Sequence, residues 1–396
     1  MTAVATHPGS APAPEPAIAP PPGNPRFPLF DGLRAVAVMS VLVGHAAGVT
    51  AFNADNRLGV LTARLDVGVT VFFLLSGFLL YRPFVSARER GTPAVRWRAF
   101  YRRRLLRIVP AYWVALTVLS LWPGLPGFSD HTWRYYTFTQ IYWLDSATQG
   151  IGPAWSLCIE MSFYLVLPLL AWGIARLARG REGQLRTDFA VLGVLAVASA
   201  VLRSGLKAQG GLHVASTTLL VYFDWFAIGM ALAALSVAWQ HCEQDAPPVR
   251  AITRRPWISW AIALAVYVVV ATQFDLPRGF YAIYTDVGYQ ARHLGYALVA
   301  LFLMLPAVFG VAGGGWPRRL LGHPFAMWLG LISYAVFLYQ VPIAVYLRTH
   351  QWWDPLPSVA FPMQTLATAL LTIGFAVLSY HVVERPILRF KERRAR

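Results

Sequence analysis

An arginine and a histidine stand eleven residues apart in an otherwise largely apolar stretch, DGLRAVAVMSVLVGH, which runs from Asp31 to His45. Eleven residues make about three helical turns, so Arg34 and His45 share one face of a helix, separated by about 16 Å of rise. A histidine carried into an apolar segment is costly to keep and marks a functional site by default. Its imidazole titrates near neutrality and can take the proton of an attacking hydroxyl. Arg34 is a permanent cation with the fork geometry that suits phosphate or carboxylate.

Other residues could complete such a site. In GPAWSLCIEMSFYLVLP, Glu160 lies five residues past Trp155, about 8 Å below the surface by helical rise, and His45 lies about 10 Å below the same surface. Equal depth predicts that Glu160 orients the His45 imidazole as a second catalytic residue, or else that the two form a purely structural interhelical pair. The most basic stretch is RWRAFYRRRLLR. Arg103, Arg104 and Arg107 fall within about one turn at the start of a helix, which suits a polyphosphate such as that of coenzyme A, or equally a lipid headgroup. Ser76 sits beside Gly77, whose small size favours close helix approach. Asp224 is read as a hydrogen-bonded helix contact in preference to a second base or a substrate-binding carboxylate. His293, next to Arg292, is expected to snorkel, and Glu384 to pair with the arginine cluster. Gln340 is a further polar residue inside an apolar run. Cys158 and Cys242 are expected at different depths and unpaired. No GxSxG elbow, phosphate loop or zinc spacing is present, so no metal ligand is assigned.

The elements that must carry these residues are apolar spans. Of 396 residues 57% are hydrophobic and only 13% charged, about half the charged share of a soluble protein. Ten spans are read, near 32–51, 67–85, 105–122, 155–175, 188–203, 216–239, 257–274, 292–311, 325–347 and 361–382. The predicted fold is therefore an all-α, multi-pass integral membrane helical bundle. A Pro/Ala-rich tail over 1–26 is expected to be disordered and uncleaved, a membrane domain covers 27–384, and a basic tail covers 385–396. The +16 charge does not imply nucleic acid, because the arginines cluster between spans. With ten spans, 26 of the 34 Lys and Arg residues fall on the side of the termini and 8 on the other. Both termini are thus expected in the cytoplasm, in the cell membrane among its lipids.

Taken in order, these segments resemble the membrane acyltransferase-3 family, ten-span enzymes that acylate hydroxyls of sugars, lipopolysaccharide, Nod factors and macrolides. DGLRAVAVMSVLVGH resembles its first-span motif and GVTVFFLLSGFLL its second. FYRRRLLRIVPAYW resembles the arginine-rich entry to the third, WSLCIEMSFYLVLP the WSL-x-x-E motif and FAIGM the sixth-span motif. ISYAVFLYQVP with VVERP resembles the C-terminal pair. The resemblance implies that acyl-CoA, by default acetyl-CoA, is the co-substrate, with no tightly bound cofactor. It places Arg34, Arg103, Arg104 and Arg107 at the donor, His45 as the base and Glu160 at the acidic fourth-span position. It implies a carbohydrate-containing hydroxyl acceptor, reached by direct transfer or through an acyl-His45. In ISYAVFLYQVP, Gln340 stands where many relatives carry His, which implies either that the histidine of those relatives is not the base, the preferred reading, or that this protein acts on an unusual acceptor. A transporter or flippase for a glycoconjugate, with Arg34, His45, Glu160 and Asp224 lining its path, is the other reading.

Overall fold

A computed structural model describes residues 27–178, 183–208, 214–239, 254–274, 276–278, 285–309, 314–350 and 357–387. The expected N-terminal tail, the end of the C-terminal tail and Cys242 lie outside the described residues. Among the described residues there is helix and no strand. The long helices are α1 (Leu29–Val49), α2 (Val67–Arg90), α3 (Trp97–Leu121), α4 (Ala154–Leu177), α5 (Gln184–Ala208), α6 (Leu219–Ala238), α7 (Pro256–Gln273), α8 (Asp286–Val308), α9 (Pro324–Leu331), α10 (Ser333–Thr349) and α11 (Pro357–Ser379). Nine described helices are long and apolar enough to cross a membrane, and α9 with α10 makes a tenth if the pair is one span. Nine of the ten spans read from the sequence are thus found as long helices, the remaining one corresponds to the bent pair, and two details differ. The ninth is broken, bent by 70° at Ile332. The last does not end at the edge of the basic tail: its helix runs on to Ile387 through a π-helical turn at Tyr380–Glu384.

The bundle is apolar on its outside as well as inside. Leu121, Val194, Leu264 and Leu370 are among many large apolar side chains left exposed, a surface that suits lipid. The interior belongs to α1, α2, α6 and α8, whose apolar windows are 56–61% buried, against 17% for α5. Two glycines make the central pair possible. A Cβ at Gly77 of α2 would stand 2.3 Å from the Phe226 carbonyl oxygen, and one at Gly229 of α6 would stand 2.1 Å from that of Leu74. The expected role of Gly77 as a close-approach residue is therefore seen, and it is reciprocated from the facing helix.

The break between α9 and α10 is built into the interior. Ser333 Oγ donates to the Gly330 carbonyl at 2.7 Å, satisfying an acceptor that the interrupted helix releases. Non-helical backbone at this depth is tolerated where protein covers it or where it lines a cavity. Gly330 lets the broken span close on the backbone of Asp31, one turn before Arg34. The bend thereby brings α10 alongside the polar face of α1.

Arg318 was not singled out from the sequence, yet it is fully buried. Its guanidinium donates to the carbonyls of Pro306 at 2.9 Å and Phe309 at 2.7 Å, at the end of α8, and to Gly314 at 3.0 Å. A buried cation here serves as the C-cap of a span. Arg318→Met removes these charge-assisted bonds, each worth about 1.5–3 kcal/mol. Its expected outcome is a thermal midpoint in detergent lowered by several degrees, read by differential scanning fluorimetry against Arg319→Met, whose side chain is exposed.

Candidate active site

Arg34, Val41 and His45 lie at positions i, i+7 and i+11 of α1 and form a single stripe. The stripe opens on two cavities. One, of about 100 Å³, takes in Arg34, Ser76, Arg104, Arg107, Glu160 and Tyr164. The other, of about 360 Å³, takes in His45, Asp66, Trp155, Arg203, Lys207 and Arg292. Val41 of α1 and Val69 of α2 line both. By helical rise Val41 stands about 10 Å from the level of Arg34 and about 6 Å from that of His45. The two cavities thus abut at a valine waist, with a cationic end on one side and an imidazole on the other.

At the cationic end, Arg34 Nη1 is held by Asp31 Oδ1 at 2.6 Å, an i,i+3 pair that fixes the guanidinium direction. Arg104 and Arg107 enter from α3. Neither makes an ion pair with a described residue, and Arg104 Nε is buried with no hydrogen-bond partner. Three guanidiniums face one carboxylate, Glu160, which accepts from Ser76 Oγ and, at 2.6 Å, from Tyr164 Oη. The cavity keeps a positive excess. Arg103, assigned to this cluster from the sequence, is exposed and lines neither cavity: at one residue before Arg104 its side chain leaves the helix on another face.

The expected pairing of Glu160 with His45 is not made. The two residues face different cavities, and Glu160 Oε1 accepts from both Ser76 and Tyr164. Ser76 accordingly bonds across helices and not back to α2. The carboxylate that bears on the imidazole is Asp66, which lines the same cavity. Asp66 stands immediately before α2, bound by Arg292 and by Tyr296 Oη. The only trace of it in the sequence is an acidic residue at the mouth of the second span, which reads as ordinary loop. The fully buried Gln340 of α10 also faces His45, so the position that departs from many relatives lies beside the candidate base.

Asp224 is a helix contact, as expected: its carboxylate accepts from Arg203 Nη2 at 3.1 Å and meets His293 Nε2 at 2.9 Å. His293 does not snorkel. It is 3% exposed, stacked on Trp225 at 4.0 Å, and its Nε2 lies 3.0 Å from Arg203 Nη1 and 2.9 Å from Asp224 Oδ1, accepting from the first or donating to the second. Two partners within hydrogen-bond reach outweigh the pull of the interface. Glu384 is buried near Arg107 but forms no ion pair with a described residue, and its Oε1 lacks a hydrogen-bond partner, so the expected bridge to the arginine cluster is absent. Cys158 is buried and free. Of the tryptophans near the His45 end, Trp155 lines the cavity and packs on Tyr222 at 5.5 Å. Trp143 packs instead against Trp133 and Arg134.

Comparison with known proteins bears on this arrangement. Residues 28–381 match the family model described as "Acyltransferase domain". The chain is 24% identical over 384 residues to O-acetyltransferase OatA of Staphylococcus aureus, covering 92% of this chain and 58% of that protein. It is 28% identical over 400 residues to the putative peptidoglycan O-acetyltransferase YrhL of Bacillus subtilis, covering 91% and 55%. The chain thus spans somewhat more than half the length of these curated relatives. No solved structure matches it.

Proposed function

Because the chain belongs to the membrane acyltransferase-3 family, we propose that it transfers an acyl group, acetyl by default, from acyl-CoA on the cytoplasmic side to a hydroxyl of a carbohydrate-containing acceptor that enters from the opposite side. The observation that carries the proposal is the α1 stripe: Arg34 and His45 open on separate cavities that meet at Val41 and Val69. One helix face thereby presents a phosphate-binding end and a proton-accepting end to the two ends of one reaction.

In this reading the coenzyme A phosphates lie on Arg34, Arg104 and Arg107, with both termini of the chain in the cytoplasm as the Lys/Arg bias favours. The small cationic cavity does not hold a whole coenzyme A. It admits the pantetheine arm, and the thioester passes the valine waist towards His45. The imidazole takes the acceptor hydroxyl proton as the oxygen attacks the thioester carbonyl. The C–S bond then breaks, and the departing thiolate recovers a proton from the imidazolium. Gln340, whose buried amide has no hydrogen-bond partner among the described residues, lies beside His45 as a neighbour to orient the ring in the reacting complex, and Asp66 favours the transient cation. This role for Gln340 needs no proton transfer, which suits an amide. Glu160, bound to Ser76 and Tyr164, orders the donor cavity. The relatives' names, with acetyl transfer to oxygen and one putative peptidoglycan acceptor, favour acyl transfer over a transport path.

The test uses the full chain in lipid nanodiscs with labelled acetyl-CoA. Replacing both Arg104 and Arg107 with Gln should raise the KM for acetyl-CoA at least about tenfold while kcat changes little, since charge-assisted bonds to phosphate contribute about 1.5–3 kcal/mol each. Failure of the unaltered protein to bind acetyl-CoA, or an unchanged KM in the double variant, would overturn the assignment of this end.

A further inference from the structure

The His45 end of the bundle carries few cations, yet they are concentrated. Only eight of the 34 Lys and Arg residues fall on that side of the ten-span topology, and three of them, Arg203, Lys207 and Arg292, line the His45 cavity. Two are neutralised in place: Arg203 by Asp224 at 3.1 Å and Arg292 by Asp66. Lys207 has no ion-pair partner among the described residues. Its ammonium lies over the Tyr289 ring at 4.8 Å, an arrangement that holds a cation in place without cancelling its charge. Among the described residues the cavity is thus left with one uncompensated positive charge. The same cavity is lined by Trp155 and Tyr222, in contact with each other, and aromatic faces of this kind stack on the C–H faces of a sugar ring.

A neutral sugar would need the aromatic faces and hydrogen-bonding groups but not a held, uncancelled ammonium. We propose that this cavity recognises a glycan bearing a single anionic group. The sugar ring packs on Trp155 and Tyr222, a carboxylate or phosphate oxygen accepts from Lys207 Nζ, and a ring hydroxyl points to His45. The proposal deepens the acyl-transfer reading by naming the chemical class of the acceptor. Its test is a binding measurement, so the two can fail separately.

The full chain is placed in phosphatidylcholine nanodiscs, which carry no net headgroup charge, and titrated by saturation-transfer NMR with three probes. N-acetylglucosamine is neutral, N-acetylmuramic acid adds a carboxylate, and N-acetylglucosamine 1-phosphate adds a phosphate. At least one anionic sugar should bind about tenfold or more tightly than the neutral one, and which of them does so separates a carboxylate from a phosphate source. Lys207→Ala should abolish the preference while leaving the affinity for N-acetylglucosamine within about twofold, and Lys207→Arg should restore it. Equal affinity for all three sugars, no binding of either anionic sugar, or a preference that survives Lys207→Ala would overturn the proposal. Acetyl-CoA binding, measured on the same samples, reports on the other end: its absence alongside an intact anionic preference would sink the transferase reading and leave the site standing.

Discussion

His45→Ala should lower kcat for acyl transfer by about 10²–10⁴-fold, the usual contribution of a positioned general base, while the affinity for acetyl-CoA stays within about twofold. The split follows from position. His45 lines the cavity that holds Asp66 and Lys207 and not the one that holds Arg34, Arg104 and Arg107, so the donor end should not register the change. His45 is also only partly enclosed, which makes truncation to Ala a loss of chemistry before it is a loss of packing. Single-turnover transfer from labelled acetyl-CoA to a hydroxyl acceptor reads the rate, and equilibrium binding of acetyl-CoA to the same preparation reads the affinity. Wild-type turnover by the variant would remove His45 from the mechanism. A parallel loss of binding and of monodispersity would place it in the fold. Gln340→Ala should show a milder loss of the same kind, because the ring keeps its proton-accepting nitrogen and loses only an orienting neighbour.

Much of this arrangement is legible before any coordinates. Spans of about 20 apolar residues have to be helices in lipid, because no other single segment satisfies its own backbone there. The helical repeat alone places Arg34 and His45 on one stripe. What the repeat cannot supply is azimuth between helices. Glu160 and His45 are expected at similar depth, yet they face different cavities, because rise along each helix says nothing of how the helices pack. Arg103 fails for the same reason within one helix: it adjoins Arg104 in sequence, yet its side chain is exposed and lies outside the arginine-lined cavity. Asp66 is hidden differently. It precedes its span, where a carboxylate is unremarkable, and only the fold brings Arg292 and Tyr296 of α8 round it. His293 shows that an interfacial position does not imply snorkelling when Asp224 and Arg203 are within reach. The 70° bend at Ile332 has no proline at the bend itself to announce it, and it is that bend which sets Gln340 against His45.

Filling the valine waist should separate the two ends of the reaction more sharply than any polar substitution. Val69→Phe is expected to reduce acyl transfer by about 100-fold or more, with acetyl-CoA binding and acceptor binding both retained. The reasoning is geometric. Val41 and Val69 are shared by both cavities, and His45 lies about one turn beyond Val41, so on the proposed reading a thioester held by the arginines would pass between these two side chains to reach the imidazole. Misplacing a reacting group by about 1 Å already costs on the order of 10² in rate, and a phenyl ring in the opening displaces it by more. Val69 is the better position because it is only partly buried and the added ring has cavity to enter. Val41 is almost wholly enclosed, and enlarging it would cost about 1–3 kcal/mol in overpacking. Val69→Ala supplies the opposite displacement and should transfer at or above the wild-type rate. If Val69→Phe binds both ligands and still turns over normally, the acyl group does not travel past the waist, and the two ends of the α1 stripe do not serve one thioester.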